Sequence, residues 1–144
     1  MEPRAAAGVP YRVWVRMRAA SNAWTNDSVF VQFSGSVNSA GAPVYRTGST
    51  DATMVSIEEG SGRGLSSWGW SDNGWDSLGP LVHFEKSGMQ TLRVQRREDG
   101  ISIDQVVLSP VSYVAAAPGQ AKNDATVMPE YVGAPPVTLK EIAF

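Results

Sequence analysis

The run SWGWSDNGWD at residues 67–76 places three tryptophans among glycine, serine, aspartate and asparagine. Sugars present apolar C–H faces and hydroxyl edges, so a sugar site needs a flat indole beside amide or carboxylate groups. Trp68, Trp70 and Trp75 supply the indoles, and Asp72 and Asn73 supply the polar groups. The run therefore predicts a carbohydrate-binding loop, in which Trp70 and Trp75 are the preferred stacking pair because they flank Asp72 and Asn73.

A second segment repeats this combination of residue types. Trp24 lies close in sequence to Asn26 and Asp27, directly after the first predicted strand. The alternative for every one of these tryptophans is a structural role, because large aromatic side chains are usually buried. Three indoles in one loop are hard to bury together, so we expect at least one water-facing platform and at least one core residue in residues 68–75.

Catalytic chemistry has weaker support in the sequence. A glycosidase needs two carboxyl groups about 5–10 Å apart. Candidates for such a pair are Glu58, Glu59, Asp72 and Asp76. The single histidine, His83, lies within an apolar run, which favours a packed residue over a general base. No nucleophile triad, phosphate-binding loop or metalloprotease motif occurs. Binding is therefore favoured over hydrolysis.

Two acidic positions outside the tryptophan loop also need partners. Asp104 lies between Ile103 and Val106 in an apolar run, where a carboxylate must be hydrogen-bonded, ion-paired or metal-bound. Loop amides or an arginine such as Arg16 or Arg18 are favoured over a metal. In RREDG at residues 96–100, the charged side chains either form a solvated turn or anchor a neighbouring loop through Arg97 or Glu98.

Hydrophobic alternation predicts that strands position these residues. In YRVWVRMR, Tyr11, Val13, Val15 and Met17 share one face, which is typical of a half-buried strand at residues 11–18. Further strands are predicted at residues 28–33, 81–86, 91–98 and 101–109. The pair Asp99-Gly100 suits a tight turn, so residues 91–97 and 101–108 are predicted to form an antiparallel hairpin. An all-β sandwich or jelly roll follows.

Composition limits the remaining choices. With 144 residues, 42% of them hydrophobic, the chain suits one domain. Its net charge of −2 argues against nucleic acid or an anionic membrane as partner. The absence of cysteine excludes disulfides and thiolate metal sites. The sequence as written shows no signal peptide and no membrane-spanning run. We expect a leader at residues 1–9, a β-sandwich at 10–110 and a proline-rich extension at 111–144.

Several pieces of the sequence resemble a known family. They are YRVWVRMRA, NDSVFVQF, the tryptophan loop and GMQTLRVQRREDGISIDQVVLSP. Over about residues 10–110 they look like galactose-binding-like β-sandwiches, such as carbohydrate-binding modules of families 6 and 35 and malectin-like domains. The resemblance implies an antiparallel sandwich in a secreted bacterial protein that binds sugars without cleaving them. It also implies a structural calcium near Asp104, although the upstream acid that helps hold this calcium has no counterpart here.

The first strands of that family have no counterpart in this sequence, because only ten residues precede Tyr11. A sandwich without an edge strand exposes unpaired backbone groups to other chains. We therefore expect the C-terminal extension to supply the missing edge, or a second copy to do so by homodimerisation or strand exchange. Three functions stay open: carbohydrate binding, structural assembly with protein partners, and a small glycoside hydrolase.

Overall fold

The computed structural model describes residues 4–58 and 65–129 and the backbone of residues 142–143. Within these ranges the chain consists of strands, loops and two short 3₁₀ turns, at Ala20–Asn22 and Trp24–Asn26, and contains no α-helix. The strands are β1 (Arg4–Ala5), β2 (Arg12–Ala19), β3 (Ser28–Phe33), β4 (Ser36–Val37), β5 (Thr53–Ser56), β6 (Gly69–Ser71), β7 (His83–Phe84), β8 (Gly88–Met89), β9 (Leu92–Arg96), β10 (Ile101–Ser109) and β11 (Ile142–Ala143). No helix in the described part could cross a membrane.

Two main sheets form a sandwich-like body. One has the order β10-β2-β6 and is antiparallel. The other has the order β11-β9-β3-β5, in which β11 runs parallel to β9 and the remaining pairs are antiparallel. Their apolar faces join in one core, to which β2 contributes Val13, Val15 and Met17, and β3 contributes Val29, Val31 and Phe33. The all-β class is confirmed, and the jelly-roll connectivity stays a prediction.

Hydrophobic alternation located the longer strands well. The predicted strands at residues 28–33 and 101–109 have the observed bounds, and the predicted strand at 11–18 is shifted by one residue, to Arg12–Ala19. The predicted strand at 91–98 is shorter, at Leu92–Arg96, and the one at 81–86 shrinks to His83–Phe84. Alternation is a local property, so it identifies strands before their partners are known.

The predicted hairpin of residues 91–97 and 101–108 is wrong. Strand β9 pairs with β3 and strand β10 pairs with β2, so the Asp99-Gly100 connection crosses from one sheet to the other. Glu98 explains the separation, because its carboxylate accepts hydrogen bonds from the Asp27 N–H and the Ser28 hydroxyl and ties the end of β9 to β3. Both strands face the same core, but from opposite layers.

The prediction that β2 is buried on one face only is also wrong. Arg12, Trp14 and Arg16 on its second face are 4–6% exposed, and only Arg18 reaches solvent. The chain after β10 covers this face: the Trp14 indole donates to the Tyr113 carbonyl at 2.7 Å. We call residues 110–129 the strap.

The far C-terminus reaches the other sheet. The backbone of Ile142 and Ala143 pairs with Val94 and Gln95 of β9. The predicted role of residues 111–144 as an extension that supplies an edge strand falls largely on residues 130–141, which lie outside the described part. That role and the domain boundaries stay predictions.

Candidate functional site

The loop between β6 and β7 is built around one carboxylate. Asp72, only 2% exposed, accepts hydrogen bonds from the N–H groups of Gly74 at 3.0 Å and Gly79 at 2.8 Å. The Arg12 guanidinium lies 3.1 Å from the same carboxylate and also donates to the Gly79 carbonyl. Because its oxygens accept these hydrogen bonds, Asp72 shapes the loop, and its contact with sugar hydroxyls stays a prediction.

The same loop closes tightly on itself. Asn73 donates from its amide to the Pro80 carbonyl at 3.1 Å, and its Oδ1 is buried without a partner. A Cβ on Gly74 would lie 1.8 Å from the Ser77 carbonyl oxygen, so only glycine fits there. Asn73 is therefore a half-buried part of the loop, in contrast to the water-facing ligand group that the sequence suggested.

The two tryptophans of the expected stacking pair have different environments. Trp70 is 2% exposed and its indole donates to the Thr126 carbonyl at 3.3 Å. Trp75, five residues later, is 51% exposed at the tip of the loop. Trp70 presents no broad face to a ligand, so a stacking pair of Trp70 and Trp75 does not form. One ring is in the interior and one faces water.

Trp68 has a third kind of environment. It is half-buried, and the guanidinium carbons of Arg16 and Arg18 each lie 5.0 Å from the centre of its ring. Cations at this distance interact with the π-electrons of an indole. The Trp68 ring therefore forms cation–π interactions with two arginine side chains.

A cleft lies between the loop and the strap. It encloses about 300 Å³. Its lining includes Trp14, Trp70, Asp76, Ser77, Leu78 and Ala117. We call it the tryptophan cleft. Sequence reasoning missed Trp14 as a contributor, because the alternation of β2 placed it on a solvent face and the strap that covers it is nearly 100 residues further along the chain.

Trp24 lies in a separate segment. It is 65% exposed in the second 3₁₀ turn, while Asn26 donates to the Ala20 carbonyl at 3.2 Å. The preceding turn contacts the tryptophan-rich run, because the Asn22 Oδ1 accepts a hydrogen bond from the Ser67 N–H at 2.9 Å. The two sequence segments with sugar-binding composition are therefore adjacent at this point.

Asp27 is buried and paired with another acid. Burial, together with the hydrogen bond and charge of Glu98 and the charge of Glu58, raises the pKa of Asp27 to about 7. Burial also favours a higher pKa for Glu98, but hydrogen bonds from Asp27 and Ser28 and the charge of Arg97 hold that pKa below its ordinary value. Below about pH 7 Asp27 therefore carries a proton that it shares with the Glu98 carboxylate, and Glu98 anchors the loop before β3. This agrees with the second alternative for RREDG.

Asp104 has an arginine partner. The Arg16 guanidinium forms ion pairs with Asp104 and, at 3.0 Å, with the buried Asp124. Calcium requires six to eight oxygen ligands. No group of three acidic or histidine side chains suited to a metal occurs in the part of the chain that the structure describes. Asp104 is therefore ion-paired within the described part of the chain, and calcium at this position stays a prediction.

The candidate catalytic groups are dispersed. Glu58 influences the buried Asp27, Asp72 is held by Arg12, and Asp76 is exposed in the loop. Glu59 lies outside the described residues. His83 lies in β7, and its buried Nδ1 has no hydrogen-bond partner among the described residues. These contacts give each acid a separate environment.

Comparison with known proteins adds no relative. No family model, no curated protein and no solved structure matches the chain.

Proposed function

We propose that this protein is a non-catalytic carbohydrate-binding module that holds a sugar in the tryptophan cleft, with Trp75 at its rim. One observation carries the assignment: the loop held by Asp72 keeps a half-exposed indole directly before the residues that line the cleft. An exposed indole offers a large, rigid apolar face with a polar N–H, which suits stacking on a ligand. An extracellular location, where polysaccharides are encountered, belongs to the same proposal.

The chemistry of the cleft suits a polyol. Asp76 offers carboxylate acceptors, Ser77 offers a hydroxyl that both donates and accepts, and Leu78 offers apolar surface, while the exposed Trp75 directly precedes these residues in the chain. Its volume of about 300 Å³ lies at the lower end of the range of small-molecule pockets. Because Asp72 fixes the loop before a ligand arrives, little conformational entropy is lost on binding.

Hydrolysis is the weaker alternative. A glycosidase needs one carboxyl group free to give a proton and a second one free to attack or to activate water. Asp72 accepts from Arg12 and from two backbone N–H groups, so it has no room for either task. Asp76 lacks an acidic neighbour among the cleft-lining residues apart from Asp72. We therefore propose binding without cleavage.

The test is affinity gel electrophoresis against a panel of soluble polysaccharides, with tryptophan fluorescence as a second readout. We expect Trp75→Ala to weaken binding by about 1–3 kcal/mol, because it removes a large apolar face. Trp24→Ala is the matched control, since it deletes an exposed indole outside the cleft. Unchanged affinity of the Trp75 variant for each polymer that binds the wild type would refute the assignment.

A second candidate function is assembly, which the position of β10 favours. This nine-residue strand is the outer strand of its sheet. Its apolar residues Ile103, Val106 and Leu108 are only partly buried against the core. Outer strands with such residues are templates for pairing with another chain. The corresponding partner is a second copy of this chain.

A further inference from the structure

A second depression lies at the end of β2, away from the residues that line the tryptophan cleft. It encloses about 360 Å³. Its lining includes Arg18, Ala20, Ser21, Asn22, Ser66 and Ser67. We call it the arginine cup. Apart from Ala19 and Ala20, its side chains are polar, so it is suited to a hydrophilic ligand.

Arg18 differs from the other arginines of its strand. Arg12 is paired with Asp72, and Arg16 with Asp104 and Asp124. Arg18 is exposed, and its side chain makes no ion pair or hydrogen bond to any residue within 4–58 or 65–129. Its guanidinium lies 5.0 Å from the centre of the Trp68 ring, and this contact limits its orientations. Among the described residues, this positive charge at the cup therefore has no anion paired with it.

The backbone around the cup is strained. Ser21, Asn22 and Ser67 have φ values of 56°, 50° and 58°, in the left-handed region that side chains other than glycine disfavour. The hydrogen bond from the Ser67 N–H to Asn22 Oδ1 holds two of these residues together. Strained backbone that the surrounding structure maintains is concentrated at binding sites. Three such residues in one depression are an observation independent of the charge of Arg18.

We propose that the arginine cup binds the anionic substituent of an acidic sugar, either a carboxylate or a sulfate ester. The planar Arg18 guanidinium matches the two oxygens of such a group. Asn22 uses its Oδ1 within the protein, which leaves its Nδ2 to donate to a sugar hydroxyl, and the Ser67 hydroxyl is a second contact. The inference deepens the proposed carbohydrate-binding function and rests on it, because it names the class of sugar.

The experiment compares polymers that differ only in charge. Polygalacturonate is run against fully methyl-esterified pectin, and dextran sulfate against dextran, in affinity gels at low and at moderate salt. We expect the wild type to bind at least one acidic polymer about tenfold more tightly than its neutral counterpart, with an affinity that falls as salt is added. Arg18→Gln should remove this preference, and Arg18→Lys should retain part of it.

Arg4→Gln is the matched control, because it deletes the same charge at an exposed position that does not line the cup. Equal binding of acidic and neutral polymers would refute the proposed anion site in the arginine cup. An equal effect of Arg18→Gln and Arg4→Gln would refute it as well. Preference for dextran sulfate alone, lost in Arg18→Gln, supports the site and assigns a sulfate ester.

Failure of the cup and failure of the proposed function give different results. If neutral polymers bind through Trp75 and Arg18→Gln has no effect, the proposed anion site is refuted and the carbohydrate-binding function is retained. Absence of binding to every polymer of the panel overturns both. A thermal melt of each variant shows that the fold is retained, as expected for substitution of an exposed side chain.

Discussion

Burial decides what each side chain of the site can do. Trp70 and Trp75 are five residues apart in a polar run, yet one is 2% exposed and the other 51%. Asp72 and Asp76 differ in the same way, since the first holds the loop and the second lines the cleft from an exposed position. At this scale the proposed ligand contacts of the loop are those of Trp75 and Asp76, while Asp72 holds the loop in place.

The buried acid pair predicts a pH dependence of stability. The pKa of Asp27 is raised in the folded protein, to about 7. A raised pKa contributes stability that is fully present below the ordinary pKa and is lost as pH rises through the folded value. We expect the free energy of unfolding of the wild type, relative to Asp27→Asn, to fall between pH 5 and pH 8, because an amide can donate to Glu98 without ionising.

Urea denaturation at both pH values measures this difference. Asp99→Asn is the control, because that carboxylate is 88% exposed beside the same turn. If the gap between the wild type and Asp27→Asn stayed constant from pH 5 to pH 8, while the control behaved as the wild type, the assignment of a protonated Asp27 would be wrong.

The strap covers most of the second face of β2, which hydrophobic alternation alone predicts to face solvent. It passes so close to β6 that a Cβ on Gly69 would lie 1.9 Å from the Ala121 carbonyl oxygen. Asp124 fixes it to β2 by accepting from the Arg16 guanidinium and from the N–H groups of Gln120 and Thr126. Burial favours a higher pKa for Asp124, but these hydrogen bonds hold the pKa below its ordinary value.

Removal of this anchor should cost stability. We expect Asp124→Asn to lower the free energy of unfolding by about 3 kcal/mol, the lower end for breaking a buried pair, because Asp104 still partners Arg16. Denaturant midpoints and amide exchange of residues 120–126 measure the effect. Lys122→Gln, an exposed change in the same segment, should be neutral. Equal midpoints for the two variants would contradict a structural role for the strap.

At the scale of the whole molecule, the proposed assembly function depends on the outer strand β10. Val107 pairs with Trp14 across β2 and β10 and therefore lies on the face away from the core. We expect a concentration-dependent dimer in size-exclusion chromatography with light scattering. Val107→Lys should give a single-chain mass, because a lysine on an edge strand opposes pairing.

Val111→Lys makes the same chemical change at an 80% exposed position beyond β10, and it should leave the dimer intact. A single-chain mass for the wild type at every concentration would argue against the assembly role. Sugar binding that is unchanged in Val107→Lys would show that the two candidate functions use separate surfaces.

Local pattern determined a definite part of this structure. The alternation of SVFVQF and ISIDQVVLS defined strands with the observed bounds, since period-two burial is encoded by neighbouring residues. An acid inside an apolar run indicated a partner for Asp104, and Arg16 was one of the two arginines considered. The composition of residues 67–76 indicated that indoles and polar groups would divide between interior and surface.

Tertiary structure alone decided which strand pairs with which and which indole faces water. Arg12 meets Asp72 across 60 residues of chain, and Arg16 meets Asp124 across 108. Such contacts depend on how distant segments stack, so the local pattern placed these arginines on a solvent face, whereas in the fold the β6–β7 loop supplies the buried Asp72 and the strap supplies the buried Asp124. For the same reason the sequence indicated a tryptophan-rich loop, while only the fold showed that Trp75 is its exposed indole and that Arg18 lies at a separate depression.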